Sequence, residues 1–290
     1  MFAIEFENVS KVYKKDFKTI DAVRNISLKV PVNSIFSIIG PNGAGKTTSL
    51  KMITGITPVT KGKIRVFGKE KFNSDTKKLF GFLPEHPSFF SNITPWEFLG
   101  FVLFTSEGKI DKQKIDSALE RVGLSEEKDE KVRKFSKGMV QRLGIAQAII
   151  HNPEIIILDE PFSGLDPIAK EKLKKIIFSL YDRGKTIILS SHNLTDIENL
   201  STHISLIRKG ELMLSEDIET LKDKAVYFVE FRGDIDEWET IGIEKKGGRR
   251  FISLKDKNTL WRFLEFLKKQ KFEIISVNLS FKNYLEEFYG

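Results

Sequence analysis

Ile35-Phe36-Ser37-Ile38-Ile39 runs directly into Gly40-Pro41-Asn42-Gly43-Ala44-Gly45-Lys46-Thr47-Thr48. The apolar run predicts a strand buried on both faces. Glycines then let the chain curl, and a helix is expected from about Gly45. Such a curl turns successive backbone N–H groups inward, and the helix adds its positive end, so a polyphosphate is held largely by main chain. The nine residues fill every fixed position of the G-x-x-x-x-G-K-[ST] P-loop pattern. Lys46 is placed to reach terminal phosphates, and Thr47 to hold Mg²⁺. This strand–loop–helix context predicts a nucleoside triphosphate site.

Two further continuous apolar runs, Ile155–Leu158 and Thr186–Leu189, predict more strands of the same buried parallel sheet. The first is followed by Asp159-Glu160 and the second by Ser190-Ser191-His192. In doubly wound sheets, ligands lie beyond the carboxyl ends of the strands, so three strands are expected to deliver chemistry to one edge. Asp159 can hold a metal's hydration shell, and Glu160 can orient and deprotonate an attacking water. Phe2–Phe6, Ile26–Val30 and Ile64–Phe67 alternate apolar and polar residues, as half-exposed antiparallel strands do. Between about Pro95 and Asn152 the period becomes helical, with Ile115, Leu119 and Val122 on one stripe and Leu143, Ile145, Ala146, Ile149 and Ile150 on another.

Composition shifts after Leu221. Ala225–Phe231, Arg250–Leu254 and Phe272–Val277 read as strands, Thr259–Gln270 as an amphipathic helix, with turns at Gly233-Asp234 and Gly247-Gly248. The expected organisation is α/β: residues 1–221 with a parallel core sheet, an N-terminal antiparallel β subdomain and a helical subdomain, followed by a small α+β domain at 222–290.

The 290 residues exceed one ordinary core, and 40% hydrophobic with 30% charged residues describes an ordered globular chain. No apolar run approaches the ~20 residues of a membrane-spanning helix. The acidic, alternating start Met1–Glu7 does not read as a secretory signal. Absence of cysteine excludes disulfides and thiolate metal sites and fits a reducing cytoplasm. The net charge of +7 is dispersed among acidic residues, which predicts solvated faces rather than a nucleic-acid groove.

Between the P-loop and Asp159 lies Phe135-Ser136-Lys137-Gly138-Met139-Val140-Gln141-Arg142, and Ser163-Gly164-Leu165-Asp166 follows Glu160. In this order the motifs resemble those of ABC-type ATPases: P-loop, Q-loop, signature, Walker B, D-loop and switch histidine. The resemblance covers Met1 to about Leu221 and looks closest to ATP-binding subunits of ABC transporters with a C-terminal extension, multidrug and sodium-export types included. It implies a P-loop ABC ATPase domain that binds ATP with Mg²⁺ and hydrolyses it as a head-to-tail homodimer, or as a heterodimer with a similar subunit. It also implies a cytoplasmic chain, peripheral on the inner membrane face through a separate transmembrane permease. Carried over residue by residue, Glu160 is the general base, His192 holds the γ-phosphate and water, and Tyr13 stacks on adenine. Ser136, Gly138 and Asp166 would meet the nucleotide of the opposing subunit, while Thr47, Glu85 and Asp159 would serve the metal. From its own sequence, Ser136 is an N-cap opening a helix through Ile150.

Two positions depart from the family pattern. Lys137 and Met139 stand where glycine and glutamine are usual, and Lys137 either adds charge near phosphate or faces solvent. Phe82-Leu83-Pro84-Glu85 puts glutamate in the Q-loop slot. The aromatic residues from Phe89 to Phe98 follow it, where the family receives its permease's coupling helix. An ABC-type ATPase acting on ribosomes or nucleic acid is the alternative. The stretch from Ser49 to Phe135 lacks the heptads of the DNA-repair members, and no second P-loop is present.

Overall fold

The computed structural model describes residues 1–15, 18–70, 74–223 and 226–280. The chain divides into two compact units, Met1–Ser215 and Glu216–Gly290.

The first unit opens with β1 (Phe2–Lys15) and β2 (Lys18–Pro31). β3 (Ile35–Ile39) follows, then α1 (Lys46–Ile53) and β4 (Lys61–Val66). β1 pairs antiparallel with both β2 and β4, making a three-stranded sheet. Register shifts between Phe6 and Val9 and between Val9 and Lys11 break its alternation. The strands therefore run well past the short segments that periodicity picks out. Next come α2 (Ser74–Lys78), β5 (Phe80–Leu83), α3 (Pro95–Glu107), α4 (Lys112–Arg121) and α5 (Lys137–Ile149). They are followed by β6 (Ile155–Leu158), α6 (Pro167–Asp182), β7 (Thr186–Ser191), α7 (Leu194–Ile197), β8 (His203–Arg208) and β9 (Glu211–Asp217).

The central sheet has the order β5-β6-β7-β3-β8-β9. Its first four ladders are parallel, and every residue of β3, β6 and β7 is buried. This is why those strands read as unbroken apolar runs. Phe36, Ile38, Ile155, Ile157 and Ile188 join Leu50 and Ile53 of α1 and the inner face of the antiparallel sheet in one core. Helix starts are set by local chemistry. Thr94 and Glu97 form a reciprocal capping box with Pro95 in the first turn, Asp111 caps α4, and Asp166 caps α6 just before Pro167.

Strand β5 escaped periodicity. Its Gly81 passes so close to α5 that an added Cβ would lie 2.0 Å from the Ala148 carbonyl oxygen. Glycine is needed there for close packing.

The second unit contains α8 (Ile218–Asp223), β10 (Val226–Arg232), β11 (Glu237–Trp238), β12 (Ile241–Gly242), β13 (Glu244–Lys246), β14 (Arg249–Leu254), α9 (Lys257–Lys269) and β15 (Glu273–Ser280). Four strands form the antiparallel order β13-β14-β10-β15. Val229, Phe231, Ile252 and Leu254 pack against Leu260, Phe263 and Leu267 of α9, with Trp238 beside them. Buried Arg250 donates to the Gly233 carbonyl and to Asp234, and so pins the loop after β10.

Candidate functional site

Strands β6, β7 and β3 are neighbours, so their carboxyl ends put Asp159-Glu160, Ser190–His192 and the P-loop side by side. The P-loop itself is fixed by close approach. A Cβ on Gly40 would lie 2.1 Å from the Ile207 carbonyl oxygen, and one on Gly45 would lie 2.4 Å from that of Ala22. Gly45, at φ 108°, is also the left-handed residue from which α1 starts. The Ala44 carbonyl accepts from the Gly210 amide, and the Gly210 carbonyl from Arg24. Among the described residues, no backbone carbonyl accepts from the amides of Gly43, Gly45, Lys46 or Thr47. These donors face a pocket of about 450 Å³, lined by Asn42 to Thr48 with Ile20, Asp21, Ala22, Glu85 and Glu160. Unpartnered amides at a helix N-terminus are what a polyphosphate requires.

Lys46 curls back over the loop. Its ammonium donates to the carbonyls of Gly40 (2.8 Å) and Pro41 (3.2 Å) and sits 3.0 Å from Glu160 Oε1. That last contact is ionic, without hydrogen-bond alignment. Glu160 Oε2 lies 2.8 Å from His192 Nδ1. Both Lys46 and Glu160 are almost wholly buried, and Glu160 holds a left-handed backbone with φ 47°. For a non-glycine residue such geometry costs about 1–3 kcal/mol.

Asp159 Oδ1 accepts from Thr47 Oγ1 (3.0 Å) and Ser190 Oγ (2.7 Å). Burial raises its pKa above the ordinary carboxylate value. The bonds from Ser190 and Thr47 oppose that rise, and the charges of Glu85 and Glu160 add to it. Glu85 and Glu160 thus line a pocket whose other wall is built for an anion, and Asp159 is buried behind Thr47. Among the described residues, no cluster of three or more His, Cys, Asp or Glu gathers as a metal cage. Thr47 and Asp159 do fit Mg²⁺, which binds through one or two protein oxygens and completes its shell with phosphates and water.

Gly40, Pro41, Asp159 and His192 adjoin the lining without forming part of it, and the remaining sequence-predicted residues lie outside the pocket. Ser136 accepts from the Met139 amide and caps α5, whose helix ends at Ile149. Gly138 packs against the start of α6, where an added Cβ would lie 3.1 Å from the Ala169 Cβ. Asp166 accepts from the Ala169 amide. Lys137 is exposed but lies over Gly164, where an added Cβ would come within 2.3 Å of Nζ. Tyr13 is directly opposite Ile20 across the β1–β2 ladder, with the Lys11 ammonium 4.9 Å from its ring centre. Ile20 lines the pocket, whereas Tyr13 does not. The aromatic segment after Glu85 divides: Phe89 packs edge-on against Phe98, and Phe90 is exposed.

Three contributions are invisible in the motifs. Ile20, Asp21 and Ala22 of β2 form one wall of the pocket. Buried Gln141 donates to the Glu85 carbonyl (3.4 Å), linking α5 to the Q-loop slot. Ser190 bridges both acidic positions, accepting from the Glu160 amide (2.7 Å) while donating to Asp159. The only sequence signal for Ser190 was its place at a strand's carboxyl end.

A P-loop beside an acidic strand end and a switch histidine, on a mixed α/β sheet, defines an ATP-hydrolysing cassette. Comparison with known proteins identifies which. The sequence pattern of the ABC transporter family matches residues 23–163. An uncharacterized ABC transporter ATP-binding protein of Synechocystis sp. is 33% identical over 303 residues, spanning 99% of this chain and 83% of the relative. A bacitracin transport ATP-binding protein of Enterococcus faecalis is 39% identical over 79% of this chain and 74% of its own length. The dimeric post-hydrolysis structure of an ATP-binding cassette bound to ADP and Pi covers 74% of this chain and 98% of the cassette, at 25% identity and a TM-score of 0.67. The chain belongs to the ABC transporter family, and it is an ATP-binding, ATP-hydrolysing subunit whose hydrolysis energises transport.

Proposed function

We propose that this subunit acts as one half of a head-to-tail dimer, bound to a separate permease on the inner face of the cell membrane. The observation that carries the reading is a pocket lined by Lys46, Thr47 and Glu160, with Asp159 bonded to Thr47 and His192 to Glu160 behind that lining, while Ser136 and Gly138 do not line it. Among the described residues of the first unit, neither Ser136 nor Gly138 reaches the pocket of its own chain. In the dimer, the first turn of α5 from a second subunit, capped by Ser136, faces the γ-phosphate, with Asp166 at the seam. The partner is a second copy or a similar subunit. That a solved cassette with ADP and Pi is dimeric supports a dimer.

The triphosphate lies on the amides of Gly43, Gly45, Lys46 and Thr47, and Tyr13 with Ile20 flanks the adenine. Thr47 and Asp159, with Glu85 nearby, would hold Mg²⁺, which would supply positive charge beside the phosphates. Glu160 takes a proton from the attacking water, and His192 holds the γ-phosphate and steadies that carboxylate. Binding frees Glu160 from Lys46, because the ammonium turns to phosphate.

Residues 1–221 form the ATPase domain, and residues 222–290 an accessory domain. For the permease, the receiving surface is a groove of about 860 Å³ away from the nucleotide, lined by Phe80, Phe82, Val102, Gln147 and His151. Exposed Phe90, Phe101 and Phe104 extend the apolar surface of this subdomain. Among the described residues, no helix is long and apolar enough to cross a membrane. The transport relatives favour this reading over action on ribosomes or nucleic acid.

Specific ATPase activity is expected to rise with protein concentration before reaching a plateau, because the composite site forms only on association. A rate per subunit that stays constant across a thousandfold dilution series, with monomers verified at its lower end, would refute the shared site.

A second expected outcome concerns the metal position. Asp159→Asn keeps an oxygen to accept from Thr47 and Ser190 but removes a buried charge. The folded pKa of Asp159 is raised above its ordinary 3.8. Its contribution to stability is therefore greatest below that value and is lost as pH rises through the folded pKa. In EDTA at neutral pH, thermal denaturation of Asp159→Asn should occur a few degrees higher than in the parent, while its Mg²⁺-dependent ATPase activity is abolished. A lower midpoint would contradict the assigned burial penalty.

A further inference from the structure

Ser190 is fully buried on β7, one strand away from the acidic pair. Its hydroxyl does two things at once: it donates to Asp159 Oδ1 and accepts from the Glu160 amide, each at 2.7 Å. The Glu160 amide belongs to a residue in left-handed geometry, where the chain leaves β6. An N–H buried at that point needs an acceptor, and the described structure provides Ser190. One hydroxyl thereby fixes the direction of the carboxylate beside Thr47 and the backbone that aims the carboxylate beside His192.

We infer that Ser190 is a positioning residue for hydrolysis, locking Asp159 and Glu160 into one rigid unit across the β6–β7 ladder. It is fully buried and does not line the nucleotide pocket. Its effect falls on the chemical step and on the metal position, because the P-loop amides that hold the phosphates do not depend on it. This deepens the assignment of Glu160 and Asp159 made above and rests on it. Outer-shell partners of this kind typically change activity or metal affinity by about 10–100-fold when lost.

Alanine leaves the Glu160 amide unbonded as well as freeing Asp159, so Ser190→Ala also lowers stability. Two companions separate that effect. Ser190→Thr keeps the hydroxyl. Ser37→Ala removes another buried hydroxyl of the same sheet, one that among the described residues bonds Ser201 (2.5 Å) and no carboxylate.

The experiment measures kcat and KM for ATP, Mn²⁺ affinity by electron paramagnetic resonance with ADP present, and melting temperature for all three variants and Glu160→Gln. For Ser190→Ala, kcat is expected to fall about 10–100-fold and Mn²⁺ to bind more weakly, with the KM for ATP within about twofold. Ser190→Thr should recover at least half of the loss on a logarithmic scale. Ser37→Ala should melt earlier yet keep parental kcat and Mn²⁺ affinity. The inference is overturned by parental kcat and Mn²⁺ affinity in Ser190→Ala, by an equal kcat loss in Ser37→Ala, or by no recovery with threonine in a variant that melts at the parental temperature. Normal turnover in Glu160→Gln would instead refute the underlying site assignment.

Discussion

Replacing Glu160 with glutamine is expected to reduce ATP turnover by about 10²–10⁴-fold while ATP remains bound, the range spanned by loss of a general base. The substitution is nearly isosteric, so the left-handed backbone and the Ser190 contact to its amide are preserved. What disappears is the negative oxygen pair held between Lys46 Nζ and His192 Nδ1. Glutamine has no basic oxygen with which to take a proton from water at neutral pH. Binding should hold or tighten, because the P-loop amides are untouched and Lys46 no longer has a carboxylate competing with phosphate. With hydrolysis blocked and ATP retained, the dimer should accumulate on gel filtration. Single-turnover hydrolysis and equilibrium titration with a fluorescent ATP analogue separate the two effects. Parental turnover in the variant would remove Glu160 as the base, whereas lost binding would show that its charge organises the pocket.

Features generated by consecutive residues were legible in the chain. β3, β6 and β7 are short and buried on both faces, so their apolar runs announced them, and the residues after each announced a shared edge. The P-loop, Asp159, Glu160 and His192 followed from that placement. Features created by neighbours remote in sequence were hidden. Phe80–Leu83 is too short to show a period, and only the approach of Ala148 explains its Gly81. Ser190 looked like one polar residue among several until β6 and β7 became neighbours and brought its hydroxyl against Asp159. Gln141 belonged to a motif, but its contact with the Glu85 carbonyl depends on how α5 lies against the loop after β5. The bulged β1–β2 pair lost its alternation where the register shifts, which concealed how Ile20 to Ala22 reach the pocket.

Lys46→Met is expected to damage the protein in two separable ways. Lys46 and Glu160 form an ion pair at 3.0 Å with side chains only 5% and 7% exposed. Removing one partner leaves the other charged and buried, which typically destabilises by about 3–5 kcal/mol. Methionine retains most of the aliphatic stem, so this penalty comes from the unpaired carboxylate rather than from a cavity. Adding Glu160→Gln neutralises that carboxylate, and the double variant should recover most of the lost melting temperature. ATP affinity should not recover. Hydrogen bonds to charged groups contribute about 1.5–3 kcal/mol each, and two lost phosphate contacts weaken binding by about 10²-fold or more. Stability and affinity would therefore part company in the double variant, stable but unable to hold nucleotide. If Lys46→Met melts like the parent, the ion pair does not stabilise the fold. If the double variant stays as unstable as the single one, the loss has a source other than the stranded charge. Parental ATP affinity in either variant would mean that the P-loop amides alone hold the phosphates, leaving Lys46 without its assigned role.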